Sequence, residues 1–357
     1  MQQLNVIGLM SGSSLDGVDL CYAEFYYENG QWRYQGCVSE TVLYSEKWKL
    51  QLQNVSQENA FNFSEINVRY GYYLGTLVNE FILKNALEVD LIASHGHTVF
   101  HQPQHKFSVQ IGDGATLYAV TGIKTVSDFR SVDIALGGQG APLVPVGERD
   151  LFEAYGLFLN LGGIANISIF DQKESVLAYD IAPCNLPLNI LCEKYFNVAY
   201  DANGAIALRG KLDQKLLSEL RQLPYFSIIP PKSLGREFIE EEYLPIVEKA
   251  SLSKEDKLYT ILFHITDEIS DAINKVAPLS RQASVLVTGG GVHNGFLMDL
   301  LKQKCKIELT VPDSEIVNFK EALIFAYLGV LRFTNSTNAL ASVTNASKNS
   351  IGGALWG

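Results

Sequence analysis

One pattern constrains this chain more than any other, and it occurs twice. VIGLMSGSSLDGVDLCYAEF, residues 6–25, is an apolar run, a turn of small residues, and a second apolar run, with carboxylates at Asp16 and Asp19. YGLFLNLGGIANISIFDQ, residues 155–172, follows the same plan. A plain hairpin needs only a two-residue turn such as Asn-Gly. The first of these turns is longer and richer than that. Two such hairpins, one near the start of each half, predict a duplicated domain. A third glycine turn, SVLVTGGGVHNGFLMDLLKQ at 284–303, reads instead as strand, turn and helix.

Between the turns the apolar periodicity alternates between strand and helix. Residues from about 4 to 45 read as a β-meander. Residues 64–88 read as one long amphipathic helix. Residues 90–93 read as a short strand running into a polar loop. Further helices are predicted over 185–196, 211–222, 236–250, 255–277 and 320–333. Strands mixed with long helices indicate an α/β protein. The 357 residues suit two domains. Their boundary is expected within the Gly- and Pro-bearing stretch at 130–150. That gives one domain of 1–135 plus about 335–357, and a second of 136–334.

The net charge of −11 argues against a nucleic-acid binder, which needs a basic face for phosphates. It leaves a nucleotide substrate open, because backbone N–H groups and a bound metal can carry phosphates on an acidic protein. The five cysteines form no C-x-x-C pair and read as free thiols of a reducing compartment. The N-terminus lacks a secretory pattern, and no apolar run reaches about 18 residues. A cytoplasmic protein without membrane contact is therefore expected.

Neither a Walker-type phosphate loop nor G-x-G-x-x-G after a strand occurs. What the chain offers phosphate is its small-residue turns, where backbone N–H groups can approach an anion closely. Hydroxyls of Ser11, Ser13 and Ser14 would add donors, and Asp16 could hold magnesium directly or through water. His95, His97 and His101 have the spacing H-x-H-x-x-x-H. This reads either as a metal site or as a loop that faces a polar ligand with Thr98. In SDFRSVD, Asp128 and Arg130 alternate and are expected to point the same way and pair. The arginine reads as a structural ion pair or as a fork for a ligand. Asp180 ends an apolar strand, a suitable place for a general base. Lys232 and Arg236 fall in a polar loop. Glu321 opens an apolar helix, where its charge would suit the helix N-terminus.

As a set, GLMSGSSLDGVD, SHGHTVFH, GDGATLYA, SDFRSVDIALGGQGAPLVP, NLGGIANIS, YDANGAIA, PPKSLGREF, TGGGVHN and KEALIFAYLG resemble, in that order, the anhydro-N-acetylmuramic acid kinase family. The resemblance runs from about residue 6 to the C-terminus. It implies the sugar kinase, actin and heat-shock chaperone fold: two actin-like, ribonuclease H-like α/β domains around a central cleft for ATP and sugar. The reaction it implies opens the 1,6-anhydro bridge with water and phosphorylates O6, yielding N-acetylmuramic acid 6-phosphate and ADP in bacterial cell-wall recycling.

Under that resemblance Asp180 is the base. Ser11, Gly12, Ser13, Ser14, Asp16 and Gly17, with Gly162, Gly163 and Asn166, hold the ATP phosphates, and Asp16 lies near Mg2+. Gly289, Gly290, Gly291 and Asn294 lie beside the adenosine. His97, Thr98, Arg130 and Glu321 hold the sugar. A homodimer is the implied assembly. Around the base the family typically reads D-T-G-P-G-N, where this chain has Asp180-Ile181-Ala182-Pro183-Cys184-Asn185. A left-handed backbone at Ala182 or Cys184 would cost about 1 kcal/mol or more. The family also has Gln where His97 stands and usually an acid where Asn189 stands. Three other readings stay open: a kinase of another anhydrosugar or aminosugar, a nucleotide-binding regulator without catalysis, and a zinc hydrolase built on the three histidines.

Overall fold

The computed structural model describes residues 3–12, 15–172, 175–230 and 232–357. The chain divides into two units, 1–153 with 319–357, and 154–318. The sequence expectation put the divisions at 135/136 and 334/335, so residues 136–153 and 319–334 fall with the first unit. The contacts explain this. Lys320 donates to Glu148 Oε1 at 2.7 Å with both side chains buried, and a Cβ at Gly147 would touch Ile324 at 2.6 Å. These residues pack on one another.

In the first unit the expected meander is present as β1 (Gln3–Ser11), β2 (Gly17–Glu28) and β3 (Gln31–Leu43), each antiparallel to the next. Strand β4 (Leu91–Gln102) pairs parallel with β1. Strand β5 (Phe107–Ile111) pairs antiparallel with the outer half of β4, and β6 (Thr125–Ser127) pairs parallel with its inner half. In the second unit β7 (Leu157–Leu161), β8 (Ile164–Phe170) and β9 (Val176–Pro183) form another antiparallel meander. Strands β10 (Ser284–Thr288) and β11 (Glu308–Thr310) extend it in parallel from β7. Strand β12 (Ala354–Trp356) closes the edge of the first sheet against β6.

The two sheets share one order. The first runs β3-β2-β1-β4-β6 and the second β9-β8-β7-β10-β11. In each, the third, second and first strands are antiparallel and the fourth and fifth are parallel additions. That repeated order is the ribonuclease H-like core expected of an actin-like α/β protein. The duplication read from the two hairpins is thus present in the backbone.

Helices cover the sheets. In the first unit these are α1 (Glu46–Asn54), α2 (Ala60–Asn85), α3 (Gly114–Thr121), α4 (Ser131–Ala135) and α5 (Val144–Leu151). Next come α6 (Asn185–Phe196), α7 (Gln214–Arg221), α8 (Arg236–Phe238), α9 (Leu244–Lys249), α10 (Lys254–Val276) and α11 (Gly295–Lys304). The chain ends with α12 (Ser314–Phe333) and α13 (Ala341–Thr344). No described helix is long and apolar enough to cross a membrane.

Helix α2 shows why the sequence folds as it does. Asn59 caps it by accepting the Asn62 N–H at 3.1 Å. Its buried residues Ile66, Tyr70, Leu74, Val78 and Phe81 recur at helical spacing. They pack on Ile7, Leu9, Leu20, Ile92 and Ile111 of the sheet. Each fully buried Leu, Ile or Phe contributes roughly 1.5–3 kcal/mol. In the second unit Leu258, Ile261, Leu262, Ile265, Ile269 and Ile273 of α10 do the same against β7, β8 and β10.

Two expectations need correction. Strand β4 does not stop at Ala93. Gly96 takes a left-handed φ of 71°, a bulge open to glycine, and β5 supplies a new partner with His97 opposite Ile111. Helix α12 starts at Ser314, so Glu321 lies in its interior and not at its N-terminus.

The other face of the first sheet lies against α12 at backbone distance. A Cβ at Gly8 would lie 1.9 Å from the carbonyl oxygen of Ala322, and one at Gly329 would lie 2.5 Å from Ala93 Cβ. Gly8→Ala should therefore force β1 and α12 apart and destabilise the protein by about 3 kcal/mol. A lowered urea midpoint would register this. An unchanged midpoint would show that the close approach does not matter for stability.

Candidate active site

The first hairpin leaves β1 at Ser11 and enters β2 at Gly17. Ser11 is buried, and its Oγ lies 2.6 Å from Tyr44 Oη and 3.0 Å from His97 Nδ1. Tyr44 Oη in turn lies 2.5 Å from Tyr70 Oη. Ser13 and Ser14 lie outside the described residues. Asp16 is exposed, and among the described residues no donor reaches its carboxylate. Gly17 has a packing reason to be glycine, since a Cβ there would lie 2.4 Å from Val42 O on β3. Asp19 accepts the Thr41 hydroxyl at 2.6 Å.

The second hairpin differs. Gly162 and Gly163 have no left-handed φ, and a Cβ on either would meet nothing closer than 3.3 Å. Neither backbone strain nor crowding requires glycine at these two positions. Their carbonyls accept the N–H groups of Asn185, Cys184 and Leu186 at 2.9–3.1 Å, which seats the start of α6 on the turn. Asn166 stands in register between Asn160 of β7 and Asp180 of β9.

Asp180 is clasped by the 225–234 segment. Its N–H donates to Lys232 O at 3.0 Å, its carbonyl accepts Tyr225 Oη at 2.6 Å, and its Oδ2 accepts the Leu234 N–H at 2.8 Å. Among the described residues its Oδ1 accepts nothing. Burial raises its pKa above the ordinary carboxylate value, and the Leu234 N–H pulls partly the other way. Lys232 takes a structural part here. Its ammonium donates to Tyr225 O at 3.1 Å and lies 4.3 Å from the centre of the Tyr225 ring. Arg236 pairs with Glu240 on the surface at 2.7 Å.

At the third turn the glycines divide. Gly289 has φ 86°, and Gly291 would press its Cβ to 2.6 Å from Leu161, so both are required by the fold. Gly290 faces open space. Asn294 caps α11, accepting the Leu297 N–H at 3.1 Å, and this occupies its side-chain oxygen.

The remaining candidates belong to the first unit. Arg130 does not pair with Asp128, which instead accepts the Ser131 hydroxyl at 2.6 Å. Arg130 donates to His95 Nε2 from Nε at 3.1 Å and from Nη2 at 2.8 Å, and to Gly140 O from Nη1 at 2.6 Å. His95 donates its Nδ1–H to Gly96 O at 2.9 Å. The imidazole is therefore neutral, with Nε2 as acceptor. Burial, and then Arg130, push its pKa down to about 3, and burial pushes His97 down to about 4. Burial lowers the Arg130 pKa, whereas Glu321 raises it. Glu321 is itself open to solvent, so the upward push on its pKa from the crowding around it is tempered, and Arg130 opposes it.

Asp133 is fully buried and accepts the Gly140 N–H at 2.8 Å and the Thr344 hydroxyl at 2.6 Å, which folds the GGQG loop. Thr98 accepts Gln110 Nε2 at 3.3 Å. Beside them is a polar cavity of about 230 Å3 whose lining includes Ser94, His95, Gly96, Gln110, Asp113 and Asp128. Among the described residues the buried Ser94 hydroxyl has no partner. With Arg130 on His95, Ser11 on His97 and Ser108 on His101 at 3.3 Å, the three imidazoles have separate occupations. No described group of three His, Cys, Asp or Glu is placed to hold a metal. The zinc reading is set aside on that geometry.

Residues 4–357 match the family model described as anhydro-N-acetylmuramic acid kinase. The chain belongs to this family. Relatives bearing that name share 35% identity in Hydrogenovibrio crunogenus, over 98% of this chain and 97% of the relative, and 36% in Shewanella oneidensis, over 98% of each. The relative in Vibrio vulnificus is 33% identical over 98% and 97%. Among solved structures, the activator of the 2-hydroxyisocaproyl-CoA dehydratase from Clostridium difficile is 12% identical, with a TM-score of 0.45, over 93% of this chain and 96% of that one.

Against the anhydro-N-acetylmuramic acid kinase pattern, the departures after Asp180 do not meet a left-handed backbone, although Cys184, with ψ −102°, lies outside both the α and the β regions. Ala182 lies within β9, and Cys184 has φ −131°, so neither is left-handed. Burial pushes the Cys184 thiol up to about 12, which leaves it inert near neutrality. Sequence reasoning missed His95 as the partner of Arg130, and Tyr44 and Tyr70 behind Ser11. Nothing in their spacing announces either arrangement.

The histidines predict an acid limb of stability. In the unfolded chain His95 and His97 would titrate near 6.5. Their folded pKa values are depressed, so their contribution is fully present above about pH 6.5 and is lost as pH falls toward 4 and then 3. Unfolding free energy should decline across that window, and His95→Gln should flatten the slope. An equal slope in wild type and variant would show that His95 is not buried neutral.

Proposed function

We propose that this chain is an ATP-dependent kinase that opens 1,6-anhydro-N-acetylmuramic acid and phosphorylates its O6, giving N-acetylmuramic acid 6-phosphate and ADP in cell-wall recycling. Family membership supports the reaction class. The observation that carries the mechanism is Asp180: partly buried, held by one backbone N–H, with one oxygen uncommitted among the described residues and a raised pKa.

Asp180 would take a proton from water as the water oxygen bonds to the anomeric carbon. The C1–O6 bond breaks, and O6 attacks the γ-phosphorus of ATP while ADP leaves. The glycines at 162, 163 and 290, which the fold does not require, support close approach of a nucleotide to the backbone. With the turn at 11–17 they would hold the phosphates, and the turn at 289–291 with Asn294 would meet the adenosine.

Asp16 fits a magnesium ion, because its carboxylate is exposed and uncommitted, and this ion takes only one or two protein carboxylates beside phosphate and water. When bound, the ion would neutralise phosphate charge. His97, Thr98, Arg130 and Glu321 would hold the sugar, with the cavity beside Ser94 and Gln110 receiving one of its polar substituents. Arg130 is pre-positioned by His95 and Gly140, which lowers the entropy lost on binding.

ADP release with Mg-ATP and the anhydrosugar tests the proposal. Asp180→Asn should reduce kcat/KM about 10^3-fold, within the range of a lost general base. In the wild type kcat/KM should fall as acidification protonates Asp180, with a midpoint above the ordinary 3.8 because burial raises its pKa. Sugar-independent ADP release, or full activity in the variant, would defeat it.

A further inference from the structure

Strands β2 and β3 fall out of step at one place. Cys21 stands opposite Ser39 and Tyr22 opposite Val38, but Glu24 stands opposite Gln35. Ala23 therefore faces two residues, Gly36 and Cys37, which makes a β-bulge. Gly36 supplies it with a left-handed φ of 63°. Cys37 is thus a diagonal neighbour of Cys21. In an ordinary ladder such neighbours have Cα atoms about 7–8 Å apart, beyond the usual reach of a disulfide. The extra residue bends β3 here, and the two sulfurs stand 3.1 Å apart. A disulfide bond is about 2.05 Å long, so the sulfurs need to close by about 1 Å.

The two thiols differ in access. Cys21 is fully buried, opposite Gly8 on the face of the sheet that α12 covers. Cys37 is half-buried. A small oxidant in solvent therefore meets Cys37 before Cys21. The other three thiols are held protonated near neutrality, because burial pushes Cys184 up to about 12 and Cys192 and Cys305 up to about 11.

We propose that Cys21 and Cys37 are a hydroperoxide-reactive pair, with Cys37 the attacking thiol and Cys21 the resolving one. The Cys37 thiolate sulfur bonds to one peroxide oxygen. The O–O bond breaks, and the departing hydroxide takes up the proton that Cys37 shed, giving water and a sulfenic acid. Cys21 Sγ then bonds to Cys37 Sγ, the S–O bond breaks, and the second hydroxide leaves as water with the Cys21 proton. The two sulfurs together lose two electrons, and the peroxide gains them. Exchange with a reduced dithiol restores both thiols. Because the sulfenic acid has a thiol already beside it, Cys37 is spared the irreversible step to sulfinic acid. A transient bond of this kind is the usual form of a disulfide in a reducing compartment. The pair stands apart from the proposed kinase function.

Tryptic mapping of the folded full chain after hydrogen peroxide tests the inference. The first Lys or Arg of the sequence is Arg33 and the next is Lys47, so Cys21 lies on peptide 1–33 and Cys37 on peptide 34–47. After alkylation and digestion without reductant, 1–33 should be found linked to 34–47. Dithiothreitol before alkylation should release both peptides with their thiols intact. In Cys21→Ala the resolving thiol is gone, and peptide 34–47, which holds no methionine, should gain about 32 Da that dithiothreitol does not remove. Cys37→Ser should slow the loss of the Cys21 thiol about tenfold, because the buried sulfur has lost its exposed partner. Peptide 34–47 linked to a second copy of itself or to another cysteine overturns the proposal. So does recovery of both peptides alkylated and unlinked, or a link that forms only in urea. The wild-type map decides alone if either variant fails to fold.

Discussion

The contact of α12 with the first sheet at backbone distance is the constraint from which the first unit's candidate site follows. Gly8 and Gly329 remove the side chains that would hold helix and sheet apart. At that separation Phe325 reaches the His95 ring at 4.6 Å and the Phe129 ring at 5.5 Å. Aromatic packing of this kind leaves His95 one orientation. With the ring fixed, its Nε2 becomes an anchor for Arg130, and Glu321, four residues before Phe325 on α12, lies near enough to raise the arginine's pKa. A helix one side chain further away would lose this whole set of positions.

Charge near this site is handled by neutral histidine as much as by ion pairing. Arg130 rests on an imidazole acceptor and a carbonyl, with its carboxylate neighbour still wet. A dry Arg–carboxylate pair would have to overcome desolvation of two ions. The arrangement here desolvates mainly one, and it leaves Glu321 free to meet a ligand. In the second unit Asp180 follows a similar rule. Among the described residues it is held by a backbone N–H and not by a cation, and none of them depresses its basicity strongly. Lys232, the nearest candidate cation in sequence pattern, is diverted to the carbonyl and ring of Tyr225.

Much of the fold was legible. The two strand–turn–strand repeats correctly indicated duplicated sheets, because a central strand buried on both faces must be an apolar run and its turn must be small and polar. The helices over 185–196 and 236–250 were legible from apolar spacing, and the structure has α6 at the first and the segment from α8 to α9 at the second. Strand β4 was cut short, because Gly96 looks like a terminator when nothing reveals that β5 will pair beyond it. Glu321 was read as a helix start because the apolar run begins there, while the true first turn, at Ser314, is more polar. Alternation alone paired Asp128 with Arg130, but Asp128 is left-handed at φ 56° and turns to Ser131.

The sequence by itself determined the family, the α/β class, the repeat and the residues that form the turns, because these depend on local periodicity and on strings read along the chain. Tertiary structure alone decided what those residues do to one another. It set Arg130 on His95, gave Ser11 two buried tyrosines and a histidine as neighbours, and left Gly162, Gly163 and Gly290 without a packing reason to be glycine. Hydrogen-bond direction and pKa depend on which groups meet in a dry interior, and those meetings join residues as far apart in sequence as Ser11 and His97. No pattern along the chain encodes such a meeting, because burial and partner are properties of the packed molecule.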